Sequence, residues 1–382
     1  MSKTHRGIKC RIYPSLEQQL LIAKTFGCSR FVYNKMLGYS IDAYEKGEKF
    51  ASRNKFNYRL TELKKAFTWL CEVDATALTS ANDTLGDAFR NFFDKRAGFP
   101  QFHKKKTYGS YTSKKIQNSN NIALTDKYIK LPKVGLIKAK VHRCPCGDWI
   151  IKSATVSQEP DGKFYVSVLF ESERPVNTYV ADITNAVGLD YASDGLYVDN
   201  NGNIGSNHKF YRESHDKLAR EQRKLSKMQG SKKGEAKSKN YLKHLNKVGK
   251  IHRHIANQRL DNLHKLSTEI ANQYDVVYVE TLNMCSMANH DFGNGKTTLD
   301  NGYAMFLTML EYKLSDRNKY LVRVGKWYPS SQICHKCGTI HPEMKDLQIS
   351  TMKCDCVLTS SRDQNATINI LNEGLRLLKE SA

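Results

Sequence analysis

The sequence predicts an α+β chain of more than one domain, and three observations carry that prediction. A strand-like opening gives way to helix-like periodicity from residue 15 to about residue 96. Strand-like pieces then dominate up to about residue 172. From about residue 181 short apolar runs alternate with long helical patterns. At 382 residues the chain is long enough for two or three domains with a sizeable core.

Each element follows from local residues. GIKCRIY, residues 7–13, reads as a strand that Pro14 stops. Ser15 and Gln18 fit a capping box opening a helix. Leu20, Leu21, Phe26, Phe31, Val32, Met36, Leu37, Ile41 and Tyr44 recur at helical spacing, and residues 75–94 repeat the theme up to Phe89, Phe92 and Phe93. Gly98 and Pro100 break the pattern. A basic, aromatic stretch follows, QFHKKKTYGSYTSKK, with Lys104, Lys105 and Lys106 at its centre. IALTDKYIKLP, LIKAKVH, IIKSATVSQE and KFYVSVLFES then read as strands, with a hairpin signal at Asp161-Gly162. Cys144-Pro145-Cys146 sits among them as a turn with no second pair in reach.

Beyond residue 181, AVGLDYASDGLYVDNNGNI predicts a strand, a hairpin and an Asn201-Gly202 turn. Residues 211–272 predict two long antiparallel helices joined by QGSKKGEA, with Leu242, Leu245, Val248, Ile251, Ile255, Leu260, Leu263, Leu266 and Ile270 as the apolar stripe. DVVYVE, 275–280, is a continuous apolar run of the kind a buried parallel strand shows. A helix at about 302–318, a strand in YLVRVGKWYP and a last helix with Ile368, Leu371, Leu375 and Leu378 on one face complete the order.

Charge narrows the partners. Sixty Lys and Arg against 38 Asp and Glu give a net of +22, a field that gathers polyanions. Residues 211–265 hold 16 Lys and Arg against 5 Asp and Glu, half of the excess. Such a one-sided run points to a phosphate-contacting face, with Arg220, Arg223, Lys224, Arg253 and Arg259 as the candidates. No run of 18 apolar residues exists, and the first residues show no apolar secretory core. A reducing, cytoplasmic setting is therefore expected, and no membrane partner.

Two constellations carry chemistry. Cys334-x-x-Cys337 and Cys354-x-Cys356 stand 16 residues apart, two tight turns that each offer two thiolates to one tetrahedral centre. Four protein ligands leave no open position, so one Zn2+ held there is structural. The second constellation is Asp190 at the end of a strand, Glu280 at the end of the buried strand and Asp363 opening the last helix. Singly each is an ordinary turn, rim or helix-start residue. Together, at one edge of a mixed sheet, three hard oxygen ligands suit two Mg2+ ions acting on a phosphodiester. Phe292-Gly293-Asn294-Gly295-Lys296-Thr297-Thr298 imitates a phosphate loop, but His290 stands where that motif needs glycine. Nucleotide binding is excluded, and a Gly-rich loop beside a substrate channel is expected instead.

GLDYASDG (188–195), YVETLNM (278–284), YPSSQICHKCG (328–338) and SRDQNATINI (361–370) resemble the TnpB family of transposon-encoded, RNA-guided DNA nucleases, ancestral to type V CRISPR effectors. IKCRIYPSLEQ, AGFPQFHKKK and IKSATVSQEPDGKFYVSVLFE extend the resemblance over nearly the whole chain. It implies an RNase H-like RuvC nuclease domain, residues 181–382, with Asp190, Glu280 and Asp363 as catalytic metal ligands and a zinc-ribbon-type insertion at about 329–358. It also implies a β-barrel wedge domain, residues 1–14 and 103–180, carrying an inserted helical recognition domain, residues 15–102. Thr79, Ser80 and Asn82 are then the polar candidates for reading a short motif beside the target. The implied partners are a guide RNA derived from the transposon end and target double-stranded DNA, bound by a monomer with one RNA in a prokaryotic nucleoid. Two departures stand out: Ser361 occupies a position where the family often has aspartate, and Val357 one where many members have glycine. An RNA-guided repressor without cleavage and a guide-free zinc-ribbon protein accessory to transposition are the alternatives.

Overall fold

The computed structural model describes residues 3–48, 53–105, 108–142, 149–173, 179–206, 208–232, 234–287, 295–346 and 348–381. The chain divides into two compact units, Met1–Arg174 and Pro175–Ala382.

The first unit begins with strand β1 (Thr4–Tyr13) and helix α1 (Leu16–Glu45). The capping box at Ser15 and Gln18 forms as the sequence predicts. Helices α2 (Arg53–Ala66) and α3 (Ala75–Phe93) follow, the latter capped by the Asp74 side chain. Their shared core is Val32, Met36, Leu37, Phe56, Leu60, Leu78 and Leu85. The expected helical members Leu20 and Tyr44 instead face solvent.

Strands β2 (Ser110–Lys114), β3 (Ala123–Leu124), β4 (Tyr128–Leu131), β5 (Gly135–Lys140), β6 (Ile150–Gln158) and β7 (Phe164–Ser172) join β1 in a seven-stranded antiparallel sheet. The order is β2-β6-β7-β1-β5-β4-β3. Among the described residues β2 and β3 do not pair, so the expected barrel is seen as an open sheet. Its β3 edge is two residues long and pairs with β4 through Ala123 and Leu124. β2 lies inside the basic, aromatic stretch QFHKKKTYGSYTSKK. It forms because Tyr111 and Ser113 alternate inward, and Ser113 donates to the buried Asp74 carboxylate at 2.6 Å. The Cys144-Pro145-Cys146 turn lies outside the described residues.

The second unit is a four-stranded sheet between helices. Its strands are β8 (Ala186–Tyr191), β9 (Tyr197–Asp199), β10 (Val276–Glu280) and β11 (Tyr320–Val324), in the order β11-β10-β8-β9. β8, β10 and β11 are parallel, and β9 is antiparallel to β8. Helices α4 (Phe210–Ser226) and α5 (Lys239–Gln273) form the expected hairpin. Val248, Ile251, Ile255, Leu263 and Ile270 of the predicted stripe are buried, whereas Leu242 and Leu260 are exposed. The short α6 (Met284–Met287) is followed by α7 (Gly295–Asn301) and α8 (Tyr303–Ser315). The helix expected at about 302–318 is α8, set off from the preceding α7 by Gly302 at φ +67°. A small hairpin, β12 (Thr351–Lys353) and β13 (Thr359–Ser361), leads into α9 (Arg362–Ser381).

Strand alternation divides the sheet's two faces. Val187, Leu189, Val277 and Val279 pack with α5 and α8 residues such as Leu263, Phe306 and Leu310. Val276, Tyr278 and Val324 pack instead with Ile370 and its neighbours on α9. Two glycines let α9 come close. A Cβ on Gly188 would stand 2.4 Å from the Thr367 carbonyl oxygen, and one on Gly374 2.0 Å from the Tyr278 ring. At the amino ends of the parallel strands, buried Asp275 is held by Tyr179 Oη (2.5 Å), the Asp182 amide (2.8 Å) and Lys319 (2.9 Å). Their opposite ends are thereby brought level.

Gly188→Ala and Gly374→Ala are each expected to destabilise the second unit by about 1–3 kcal/mol through overpacking. Gly27→Ala, inside α1 with nothing within 4 Å of the added atom, is expected to leave stability unchanged or raise it by up to about 1 kcal/mol. Thermal unfolding of the three variants checks the contrast.

Candidate active site and metal centres

Asp190 and Glu280 end up abreast because of register. Leu189 pairs with Val279, and Glu280 pairs with Val324, so the next residue of β8, Asp190, lies beside Glu280 on a neighbouring strand. Both belong to the strand positions that face α9. The strand end is fixed by Thr281, whose hydroxyl donates to the Val324 carbonyl at 2.8 Å. Asp363 arrives on the same edge in the first turn of α9. Asp190 and Glu280 are half-buried and Asp363 is exposed.

Burial, then the charges of Glu280 and Asp363, push the Asp190 carboxyl up to about 7. Burial also raises Glu280. A carboxylate held this way disfavours its own charge, and a cation relieves the strain. Arg362 offsets the field in part. Asp190 feels the charge of both other carboxylates, and carboxylate oxygens are the donor type hard divalent cations take; unlike the cysteines, the three do not draw within 4.8 Å of one another in this structure.

Ser361 has a definite job. Its hydroxyl accepts from the Gln364 amide at 3.2 Å, capping the helix that carries Asp363. Serine and aspartate are interchangeable in that role.

Asn301 is the site residue that sequence reasoning missed. It is 1% exposed, and its Nδ2 lies 3.0–3.3 Å from Gly195 O, Tyr191 Oη, Ala192 O and Ser193 O. One amide thus holds the loop that leaves Asp190. Asp300 beside it is 2% exposed, pairs with Arg259 at 3.0 Å and accepts from the Tyr211 amide. Residues 288–294 lie outside the described residues, and Gly295 opens α7 directly, not a loop.

The four cysteines converge. Among the described residues they are the group of three or more such ligands whose donor atoms all lie within 4.8 Å of one another. Cys334 and Cys356 sulfurs are 3.6 Å apart, and Cys337 and Cys354 sulfurs 3.5 Å. That is far beyond a disulfide and near the edge of a zinc tetrathiolate, about 3.8 Å for bonds of about 2.3 Å. Hydrogen bonding with the Thr339 side chain and backbone pulls the Cys337 thiol down to about 6, toward the thiolate a metal takes. The centre is tied to α9. Asn365 donates to the Ile333 carbonyl at 2.7 Å and accepts from the His335 amide. Asn369 donates to Ser330 and Ile333 carbonyls at 2.8 and 2.6 Å. An Asn pair at i and i+4 in an otherwise apolar helix stripe was the signal available in the sequence.

The basic candidates sort differently. Arg220, Arg223 and Lys224 are exposed on α4. Buried Glu221 beneath them joins the helices through Lys247 (2.9 Å) and His244 (3.2 Å). Arg253 is half-buried, and Arg259 is committed to Asp300, so Arg259 is a structural ion pair and not a free phosphate contact. Lys104 and Lys105 are exposed beside a loop clamped by Asn34, which exchanges two hydrogen bonds with the His103 backbone. Lys106 lies outside the described residues. Ser80 and Asn82 correct the sequence expectation. They are 6% and 0% exposed, and Asn82 donates to Asn57 between helices. Thr79 is half-buried with its hydroxyl on the Thr76 carbonyl. Amphipathic placement turned Ser80 and Asn82 inward, away from any external motif.

Two measurements test these centres. Purified protein is expected to carry one zinc per chain by elemental analysis. Cys334→Ser should lose that zinc and unfold at markedly lower temperature, since structural zinc supplies folding energy directly. For Asp190 the raised value means the native state holds a proton the unfolded chain releases near its ordinary 3.8. Stability is therefore lost as pH rises from about 4 to about 7 and stays lost above that. In EDTA, Asp190→Asn should be more stable than the unsubstituted protein at pH 8, with the difference fading towards pH 5. Equal melting temperatures at both pH values would contradict the shared carboxylate field.

Comparison with known proteins gives the family. Three family models match: one described as a helix-turn-helix domain over residues 1–49, one as "Probable transposase" over 166–291, and one as "Cas12f1-like, TNB domain" over 303–370. In this chain the described part of the first span is a strand and a single long helix. A Streptomyces pristinaespiralis protein named "Putative RNA-guided DNA endonuclease" is 31% identical over 98% of this chain and 90% of its own. The Escherichia coli K12 protein of that name, InsQ, is 29% identical over 98% of this chain and 94% of its own. The protein in a cryo-EM structure of the Cas12f1-sgRNA-target DNA complex shares the multidomain fold, with a TM-score of 0.60 at 13% identity over 97% of this chain and 99% of that one. With such identity across nearly all of its length, and with this fold, the chain belongs to the TnpB family.

Proposed function

We propose that this protein is an RNA-guided DNA endonuclease that hydrolyses phosphodiester bonds at Asp190, Glu280 and Asp363. The observation that carries the reading is the shared edge. Register sets two carboxylates abreast, a capped helix brings the third to the same edge, and burial, followed by the charges of Glu280 and Asp363, raises Asp190 to about 7. The names of the relatives and the complex of the structural neighbour support the same reading. The guide is an RNA derived from the transposon end, and the target is double-stranded DNA beside a short motif. Sequence is then read by base pairing, and the protein reads duplex shape and the motif.

In this reading Asp190, Glu280 and Asp363 hold two Mg2+ ions. When bound, the cations supply an activated water and offset charge on the departing oxygen. The chain's own residues do the positioning. Asn301 fixes the loop after Asp190, Thr281 fixes the strand end at Glu280, and Ser361 caps the helix bearing Asp363. Arg220, Arg223, Lys224, Lys104 and Lys105 offer exposed charge to the phosphates. The zinc centre holds the chain ahead of α9 and takes no part in bond breaking.

Sequencing the RNA that co-purifies with the protein should return one transposon-end species. DNA complementary to it should be cut in Mg2+. Asp190→Ala, Glu280→Ala and Asp363→Ala should each lower the single-turnover rate by at least about a thousandfold while keeping RNA and target binding. Retained cutting by Asp190→Ala would remove the carboxylate assignment. Target binding without cutting by the unsubstituted protein would make it a repressor, and absence of RNA would make it guide-free.

A further inference from the structure

Trp327 stands out among the chain's three tryptophans. It is 86% exposed, against 40% for Trp69, while Trp149 lies under the Arg6 guanidinium. Its place is defined by β11. That strand runs parallel to β10, and Val324 lies abreast of Glu280. Trp327 follows three residues later, just past the carboxyl end of β11, the same end of the parallel strands at which Asp190 and Glu280 stand.

The turn that presents it is braced on both sides. Val324 is buried, and the Tyr328 amide donates to the Gly325 carbonyl at 3.0 Å. Tyr328 packs in the cluster that seats α9. The Ser330 carbonyl accepts from Asn369 at 2.8 Å. The indole is thus held outward by a fixed backbone. Lys326 Nζ lies 4.7 Å from the ring centroid, so a cation accompanies the exposed π-face. An aromatic plane with a positive charge, on a rigid turn, fits an unpaired base and its phosphate.

We propose that Trp327, with Lys326, is a stacking platform for one unpaired base of the DNA strand entering the carboxylate edge. This deepens the nuclease reading and rests on it. The platform tolerates any base, because every base offers a π-face, so it fixes the position of the strand and not its sequence.

The test uses full-length protein with its co-purifying RNA and a DNA target complementary to that RNA. A single abasic site is moved along the target one nucleotide at a time. In unsubstituted protein, one or two adjacent positions should slow single-turnover cutting roughly tenfold. Trp327→Ala should cut an intact target at that reduced rate and be indifferent to the abasic site there. Trp327→Tyr should restore most of the rate. All three should melt at the same temperature. An abasic profile of Trp327→Ala matching that of the unsubstituted protein, or an unchanged rate, overturns the platform. The binding arm repeats the scan in Asp190→Ala protein with and without Trp327→Ala. If nothing cuts, even without substitution, the nuclease reading fails. The abasic-dependent difference in binding then still decides for or against the platform.

Discussion

The close seating of α9 on the parallel strands is the constraint from which the second unit's other features follow. Gly188 under Thr367 and Gly374 against Tyr278 remove the side chains that would keep helix and sheet apart. The helix then buries Ile370 against Val276 and Val324, and its first turn reaches the sheet edge. Asp363 meets Asp190 and Glu280 only because that helix axis is low. The cost is a carboxyl taken out of water beside two others, visible as the Asp190 carboxyl displaced first by burial and then by the charges of Glu280 and Asp363. Apolar packing along the helix opposes that repulsion at its tip, so the edge is pre-organised at the expense of local stability.

The zinc centre acts on the same helix from its other side. Cys354 and Cys356 lie in the turn between β12 and β13, and Ser361 ends that hairpin one residue before α9 begins. Asn365 and Asn369 bind the backbone around Cys334. The helix start is therefore gripped twice, once through the chain before it and once through side-chain amides. Both grips fall within two turns of Asp363. A small module with a core of Cys334, Met344 and Met352 could not hold a helix unaided. A metal held by its four cysteines would give it the stiffness its apolar area lacks.

Much of this was legible in the sequence, and the exceptions have physical causes. Strand and helix types followed from periodicity, and the cysteine spacing and the three carboxylates could be named before any coordinates. Their convergence could not be derived from spacing, because register between β8 and β10 is a tertiary fact. Helix faces were harder. Ser80 and Asn82 are polar, so composition placed them outside, but α3 buries them and Asn82 bonds across to Asn57. Arg259 looked like one more surface cation until Asp300 came to it from 41 residues away. Asn301 gave no local sign, because its partners are backbone carbonyls of a distant loop. β2 was hidden by flanking lysines that mask its short inward alternation.

The position of α9 in the chain has a consequence for the order of synthesis. Strands β8 and β10, with Asp190 and Glu280, emerge from a ribosome well before residue 363 is made. Until the last helix has been translated, released and seated, the edge has two carboxylates and no floor of α9 side chains. A nascent chain can therefore collect polyanions through its basic helices while still lacking its third acidic group. The topology therefore completes the acidic edge only after the basic helices α4 and α5 have been made.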